Sequence, residues 1–133
     1  MKFLLAALNA KYIHSNPAIY SLKAYAGERY QSYIELGEYT INHSIASILA
    51  DIYKRKPDII GFSCYIWNFT MVQELIVEVN KLLPATDIWL GGPEVSFQCQ
   101  DTLKQYPFLK GIMIGEGEET FLALLKYYLI GNC

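Results

Sequence analysis

The chain has 133 residues, 53% of them hydrophobic, which suits one domain with a well-filled core and excludes intrinsic disorder. Its formal net charge is −2, from 11 basic and 13 acidic residues, and no basic run is longer than residues 54–56. Nucleic acid is therefore excluded as the main partner, because phosphate binding requires a basic stripe on the surface.

Cysteine usage and the amino-terminal segment predict where the protein is found. The three cysteines lie far apart and form no CxxC pair, so neither a disulfide framework nor a redox or zinc pair of that kind is expected. The apolar run at residues 3–8 is shorter than a secretory signal and far shorter than the ~20 residues of a membrane span. We therefore expect a cytoplasmic protein without a membrane partner.

Short apolar runs alternate with amphipathic stretches along the whole chain. The apolar runs predict strands at residues 2–8, 33–41, 58–64, 87–90 and 111–114. Helices are predicted from Pro17 to residue 30, over 45–53, from the N-cap Asn68 to Pro84, from Pro93 to about residue 106, and over 121–129 before Gly131 and Asn132.

This alternation predicts a parallel sheet with helices on both faces. The first and third strands are almost wholly apolar, as central strands are, whereas Glu35 and Glu38 mark the second strand as an edge. We therefore expect a single α/β domain over residues 1–133, with a five-stranded, flavodoxin-like or Rossmann-like (βα)5 fold and strand order 2-1-3-4-5. In this order the chain reverses direction between the first and third strands, and ligands bind there, outside the carboxyl ends of the strands.

Four loops at this edge carry the candidate binding residues. The loop after strand one, residues 9–17, is long for a strand-to-helix connection, and extra length at a switch point is typical of a binding site. The candidates are Asn9, Tyr12 and His14 in that loop, Ser63, Tyr65 and Trp67 at the end of strand three, Gly91, Gly92 and Pro93 after strand four, and Gly115 and Glu116 after strand five.

The same loops exclude several common sites. No glycine occurs between residues 1 and 26, so the GxGxxG turn of a dinucleotide site is absent after the first strand. The sequence has no P-loop, and its two histidines, His14 and His43, suggest no Ser-His-Asp or Cys-His set. What remains are two aromatic residues where a planar ligand can lie, and a glycine pair that lets a ligand approach the backbone.

The motifs at this edge resemble those of the flavodoxin-like cobalamin-binding domains, which are DxHxxG after strand one, SxL after strand three and GG after strand four. Residues 63–65 match the second motif in part, and residues 91–92 match the third fully. Alignment on His14 places Tyr12 at the Asp position and Pro17 at the Gly position of the first motif. The loop 9–17, the aromatic pair and the run 115–121 further resemble the amino-terminal domain of cobalamin-dependent radical S-adenosylmethionine (SAM) enzymes.

The resemblance implies a role for each candidate residue. In such a domain the corrin ring of cobalamin lies over the carboxyl edge of the sheet, and the nucleotide tail enters between strands and helices. His14 is the candidate cobalt ligand, and Tyr12 replaces the Asp that orients the imidazole elsewhere in the family. The resemblance assigns Tyr12, His14, Tyr65 and Trp67 to the ring, Ser63, Gly91 and Gly92 to the tail, and Asn9, Pro93, Gly115 and Glu116 to the rest of the cofactor site.

The resemblance also implies a partner domain. The CxxxCxxC motif that holds the iron-sulfur cluster of radical SAM enzymes is absent, so we expect this chain alone not to be catalytic. We expect a domain excised from a longer protein, whose carboxyl-terminal radical SAM barrel would bind the cluster and SAM while this module supplies the corrinoid for methyl transfer or another radical reaction. Two alternatives stay open: a docking module that binds no corrinoid, and a free-standing domain for a flavin or another phosphorylated ligand.

Overall fold

A five-stranded parallel sheet forms the centre of the molecule, seen in a computed structural model that describes residues 1–9, 17–65, 68–92, 99–114 and 117–130. Neighbouring strands pair in parallel in the order β2-β1-β3-β4-β5. The predicted α/β fold and strand order are thereby confirmed. The strands are β1 (Phe3–Asn9), β2 (Ile34–Thr40), β3 (Ile59–Ser63), β4 (Asp87–Gly91) and β5 (Gly111–Met113).

Helices follow the strands, and one of them is broken where the sequence predicts continuity. The single helix predicted up to residue 30 is wrong, because Gly27 adopts φ 81° and ends the helix, a conformation that glycine adopts without steric cost. Residues 93–98, including the predicted helix start at Pro93, lie outside the described residues. The described helices are α1 (Pro17–Ala26), α2 (Glu28–Gln31), α3 (Ile45–Arg55), α4 (Phe69–Leu82), α5 (Cys99–Gln105) and α6 (Gly117–Ile130).

The sheet is buried on both faces, which explains the unbroken apolar run in β1. Leu4, Ala6 and Leu8 pack into a core with α3 and α4, whereas Phe3 and Leu5 point the other way into a core with α1 and α6. The two sets alternate because successive strand side chains point to opposite faces of a sheet. Each face of the sheet therefore meets its own layer of helices.

Candidate functional site

Small side chains form a row across the carboxyl ends of the central strands. Ala7 of β1 is in register with Ser63 of β3, and Ser63 is in register with Gly91 of β4. By strand alternation all three positions lie on the face that α1 and α6 cover, the same face as Leu5 and Ile59. The sheet therefore presents almost no side-chain volume at the point where its topology reverses.

On the same face, two residues before the end of β4, the large indole ring of Trp89 lies to one side of this row. Trp89 is in register with Gly61 and Gly111, and its indole lies over Gly111, where a β-carbon would come within 2.5 Å of the ring. The indole N–H donates to the Tyr128 hydroxyl at 3.2 Å, and that hydroxyl donates to Asp87 at 2.6 Å. The indole is thus held over Gly111 rather than over Gly61.

A small apolar cavity remains above Gly61. It has a volume of about 10 Å³, close to that of one water-sized probe. Gly61 and Leu5 form its floor, Phe121 and Leu124 of α6 form its roof, and Met113 closes one side. We call the row of Ala7, Ser63 and Gly91, together with Gly61 and the cavity above it, the small-residue crevice.

The two glycines at the end of β4 have different surroundings. Gly91 is in the strand, and a β-carbon there would meet only the Met113 side chain, at 3.3 Å, and more distant Met113 atoms. Gly92 has φ 105°, and a β-carbon there would overlap the carbonyl oxygen of Cys64 and lie 2.9 Å from its nitrogen. The fold itself therefore requires glycine at position 92, whereas Gly91 faces the small-residue crevice.

Asn68 connects the two strands at the switch point, a role that the sequence analysis missed. Asn68 is the N-cap residue of α4, as predicted, and its carbonyl accepts from the Val72 N–H at 2.9 Å, but its side chain makes no cap hydrogen bond. Instead the fully buried amide donates to the carbonyls of Leu8 and Ser63, both at 3.1 Å, and accepts from the Tyr65 N–H at 2.8 Å. Both amide hydrogens and the amide oxygen are thus used, which satisfies a polar group in the core.

A tyrosine–carboxylate pair lies beside the row. Glu38 of β2 is in register with Ala7, and its carboxylate accepts a hydrogen bond of 2.9 Å from the Tyr20 hydroxyl of α1. The hydrogen bond to Glu38, followed by the charge of that carboxylate, raises the pKa of Tyr20 above its usual value. This hydrogen bond links α1 to the edge strand β2.

Only part of the predicted site lies in the described residues. Asn9 is buried at the end of β1, where its carbonyl accepts from the Ile41 N–H at 3.0 Å, and Tyr65 is half-buried two residues after the end of β3. Ser63 and Gly91 are brought together as direct neighbours in the sheet. The predicted residues outside the described ranges are Tyr12, His14, Trp67, Pro93, Gly115 and Glu116.

The described residues form neither a metal-binding cluster nor a membrane-spanning helix. Within residues 1–9, 17–65, 68–92, 99–114 and 117–130, no three His, Cys, Asp or Glu side chains lie close enough together to hold a metal ion. In the same ranges, none of the helices has the length and apolar character needed to cross a bilayer.

A groove of about 700 Å³ lies on the other face of the molecule, away from these residues. Ile45 and Leu49 of α3 form one wall, and Val77 and Glu74 of α4, with Tyr106, form the rest. It lies on helix surfaces, and none of the described candidate residues borders it. Cavity volume alone therefore does not mark the switch point.

The fold and the small-residue crevice define a flavodoxin-like α/β domain. The chain belongs to the B12 binding domain family, whose family model matches residues 4–125. The match runs from β1 into α6 and includes every residue of the small-residue crevice.

Two curated relatives are methyltransferases of much greater length. A 2-(S-pantetheinyl)-carbapenam-3-carboxylate methyltransferase of Streptantibioticus cattleyicolor is 33% identical over 69 residues, which are 52% of this chain and 10% of the relative. The cobalamin-dependent radical SAM methyltransferase TokK of Streptomyces tokunonensis is 31% identical over 70 residues, which are 53% of this chain and 10% of TokK. The matched segment is thus about a tenth of each relative.

A solved structure shows the same fold. The cobalamin-dependent S-adenosylmethionine radical enzyme OxsB, with aqua-cobalamin and S-adenosylmethionine bound, matches 99% of this chain and 19% of its own, with a TM-score of 0.76 and 20% identity. The resemblance predicted from the sequence motifs, to the cobalamin-binding domain of such enzymes, is confirmed by these comparisons taken together.

Proposed function

We propose that this domain binds cobalamin at the carboxyl edge of its sheet, with the nucleotide tail in the small-residue crevice. One observation carries the proposal: the register places Ala7, Ser63 and Gly91 side by side, with Gly61 one step deeper. A β-carbon at Gly61 would meet only a Leu5 methyl at 3.6 Å, and one at Gly91 would meet Met113. Flexible side-chain atoms of Leu5 and Met113 and a small cavity thus lie beside these glycines, which fits a ligand that enters between sheet and helix.

The described residues would hold the tail by steric fit and by one polar group. Gly91 and Ala7 leave room for a chain that lies against the backbone, as small residues do at close approaches. Ser63 adds a hydroxyl that both donates and accepts hydrogen bonds. Asn68 holds the ends of β1 and β3 at a fixed separation and so keeps the mouth of the crevice in place.

The ring-side residues remain predictions. Tyr65 lies two residues after the end of β3, and its backbone N–H donates to the amide oxygen of Asn68 at 2.8 Å. We propose that the corrin ring lies above this point, with Tyr12, His14 and Trp67 beside it and His14 as the candidate cobalt ligand. When bound, cobalamin supplies a cobalt centre for methyl transfer or another radical reaction.

We propose further that the domain works beside a radical SAM domain of a longer protein. TokK and OxsB are cobalamin-dependent radical SAM enzymes, and both proteins are several times longer than the matched segment. The partner domain would hold the iron-sulfur cluster and SAM, and this chain would hold the corrinoid. A cytoplasmic location is part of the same proposal, since scattered cysteines are typical of reducing compartments.

The test is retention of hydroxocobalamin. The 133-residue chain is incubated with the cofactor and desalted, and its visible spectrum is recorded. We expect corrin absorbance to stay with the protein at about one equivalent, and Gly91→Leu to remove it, because the new side chain fills the crevice. Val79→Ala is the matched control, since it weakens the core on the opposite face and leaves the crevice intact.

Two results would contradict the proposal. Complete loss of corrin absorbance from the unmodified chain on desalting would favour a docking module without a corrinoid. Equal retention by the unmodified chain and by Gly91→Leu would show that the tail lies elsewhere. Thermal unfolding of each variant confirms that it is folded before its spectrum is interpreted.

A further inference from the structure

Met113, the last residue of β5, lies across the small-residue crevice. It is in register with Gly91, and its terminal methyl carbon would be 3.3 Å from a β-carbon on that glycine. The same side chain forms one wall of the cavity above Gly61. Met113 therefore lies beside both Gly91 and the cavity above Gly61.

Three of the other cavity walls, Trp89, Phe121 and Gly61, are fixed. Trp89 is tied through Tyr128 to Asp87, and its ring has no room to move toward Gly111, which it already contacts. Phe121 is buried in the core between sheet and α6, with 2% of its surface exposed. Gly61 contributes only backbone. None of these groups can move aside without disrupting the core.

Met113 differs from them in its flexibility and its position. Its side chain is unbranched, has three rotatable bonds and adapts to irregular spaces. It is half-buried at the end of a strand of three residues, and the next residue, Ile114, is 52% exposed. Rotation of this side chain toward solvent would expose Gly91 and open the cavity above Gly61.

We infer that Met113 is a specificity-determining residue that sets the width of the small-residue crevice and so selects corrinoids by their nucleotide tail. The inference rests on the proposed function and adds to it the residue that selects the tail. A corrinoid whose tail reaches past Gly91 must displace the Met113 side chain, whereas a corrinoid without a tail does not touch it. Substitution at position 113 therefore changes the affinity for the two classes of ligand differently.

The experiment compares hydroxocobalamin with cobinamide, a corrinoid that lacks the nucleotide tail. Titrations followed by visible absorbance give the Kd of each ligand for the 133-residue chain and three variants. Met113→Phe adds a rigid ring over Gly91, Met113→Ala clears the space, and Met113→Leu is the control of similar volume. Circular dichroism and the thermal midpoint show whether each variant is folded.

We expect Met113→Phe to weaken cobalamin binding by at least ~10-fold, about 1.4 kcal/mol, while cobinamide binding stays within about twofold. Met113→Ala should strengthen cobalamin binding relative to cobinamide, because the tail no longer displaces a side chain. Met113→Leu should leave the ratio of the two affinities close to that of the unmodified chain. Every readout is a binding constant, so no catalytic partner domain is required.

The inference is overturned if both ligands respond by the same factor to Met113→Phe and to Met113→Ala. If Met113→Phe does not fold, the Ala variant decides, and an unchanged affinity ratio overturns the inference. If the proposed function is wrong, the result is different, because the unmodified chain then binds neither ligand. The role proposed for Met113 is wrong in that case too.

Discussion

A β-carbon on Gly92 would overlap the backbone carbonyl oxygen of Cys64, because the chain leaving β4 passes directly against the end of β3. The Cys64 N–H donates to the Gly91 carbonyl at 2.7 Å, which fixes the two segments at this distance. The obstacle is backbone and cannot rotate away. A glycine that appears in a cofactor motif is thus also required by the fold.

Gly92→Ala should therefore destabilise the protein in the absence of any cofactor. The positive φ alone costs about 1–3 kcal/mol for a residue with a β-carbon, and the overlap with Cys64 adds to this cost. Gly91→Ala should cost less than Gly92→Ala, since only the Met113 side chain has to yield. Urea unfolding of the two cofactor-free variants measures both values. Equal stability of the two variants would show that the approach of Gly92 to Cys64 is not a constraint.

Asn68→Asp should destabilise the fold at neutral pH by about 3 kcal/mol, because a buried carboxylate would face the two carbonyl oxygens that now accept from the amide. Burial and the facing carbonyls would raise the pKa of the new carboxyl above its unfolded value of ~3.9. The folded state then binds the proton more tightly, so stability is regained as the pH falls through the folded pKa toward the unfolded one.

Urea midpoints of this variant between pH 7 and pH 4 measure the effect against the unmodified chain. The control is Asn42→Asp, which makes the same chemical change at an exposed position and should leave the midpoint difference near zero at each pH. A stability difference for Asn68→Asp that does not shrink at low pH would mean that the amide hydrogens do not hold Leu8 and Ser63.

The strand order was predictable because it depends on local patterns that the sequence shows directly. Apolar runs mark β1 and β3 as central, and Glu35 and Glu38 mark β2 as an edge. The break at Gly27 was not predicted, because an isolated glycine within a helical pattern is often tolerated.

The details of the site depend on contacts between distant parts of the chain. Asn68 bonds a carbonyl 60 residues earlier, so its position before an apolar helix indicated a cap and not a bridge between strands. Met113 and Gly61 were not candidates, since their place in the crevice follows from strand register. That Ser63 and Gly91 lie side by side was predictable, because residues that end adjacent parallel strands meet at one edge.

Tyr128 should make the fold sensitive to alkaline pH. Burial, followed by the hydrogen bond to Asp87, raises the pKa of Tyr128 from 10.0 to about 12. The unfolded chain loses this proton at lower pH than the folded protein does. The stabilisation is therefore complete below pH 10 and is lost as the pH rises toward 12.

Tyr128→Phe should lower the stability by about 1 kcal/mol at pH 7, and the difference from the unmodified chain should shrink above pH 10. Urea unfolding at pH 7, 9 and 11 gives this difference. Tyr39, whose pKa burial also raises, is present in both proteins and cancels. Tyr127→Phe removes the exposed neighbouring hydroxyl and should leave the difference constant with pH. A constant difference for Tyr128→Phe would contradict the prediction.

Variants of Ser63 separate the steric from the polar contribution of the crevice to cofactor binding. Its neighbours in the row are Ala7 and Gly91, so a larger side chain at position 63 would fill the space between them. Ser63→Ala keeps the space and removes the hydroxyl, whereas Ser63→Leu removes both. If the hydroxyl donates to or accepts from the cofactor, Ser63→Ala should weaken hydroxocobalamin binding by about 5- to 10-fold, the equivalent of one hydrogen bond of about 1 kcal/mol.

The increase in the free energy of unfolding on cofactor binding distinguishes the two Ser63 variants and requires no partner domain. At a free cofactor concentration of about 100 times Kd, binding to the folded state alone stabilises the unmodified chain by about 2.7 kcal/mol. At that same cofactor concentration, Ser63→Ala should keep most of this gain and Ser63→Leu none of it, while Ser21→Ala, at an exposed position on α1, should match the unmodified chain. A full gain in Ser63→Leu would place the tail outside the crevice. An identical loss in both Ser63 variants would show that the hydroxyl, and not the space beside it, determines binding.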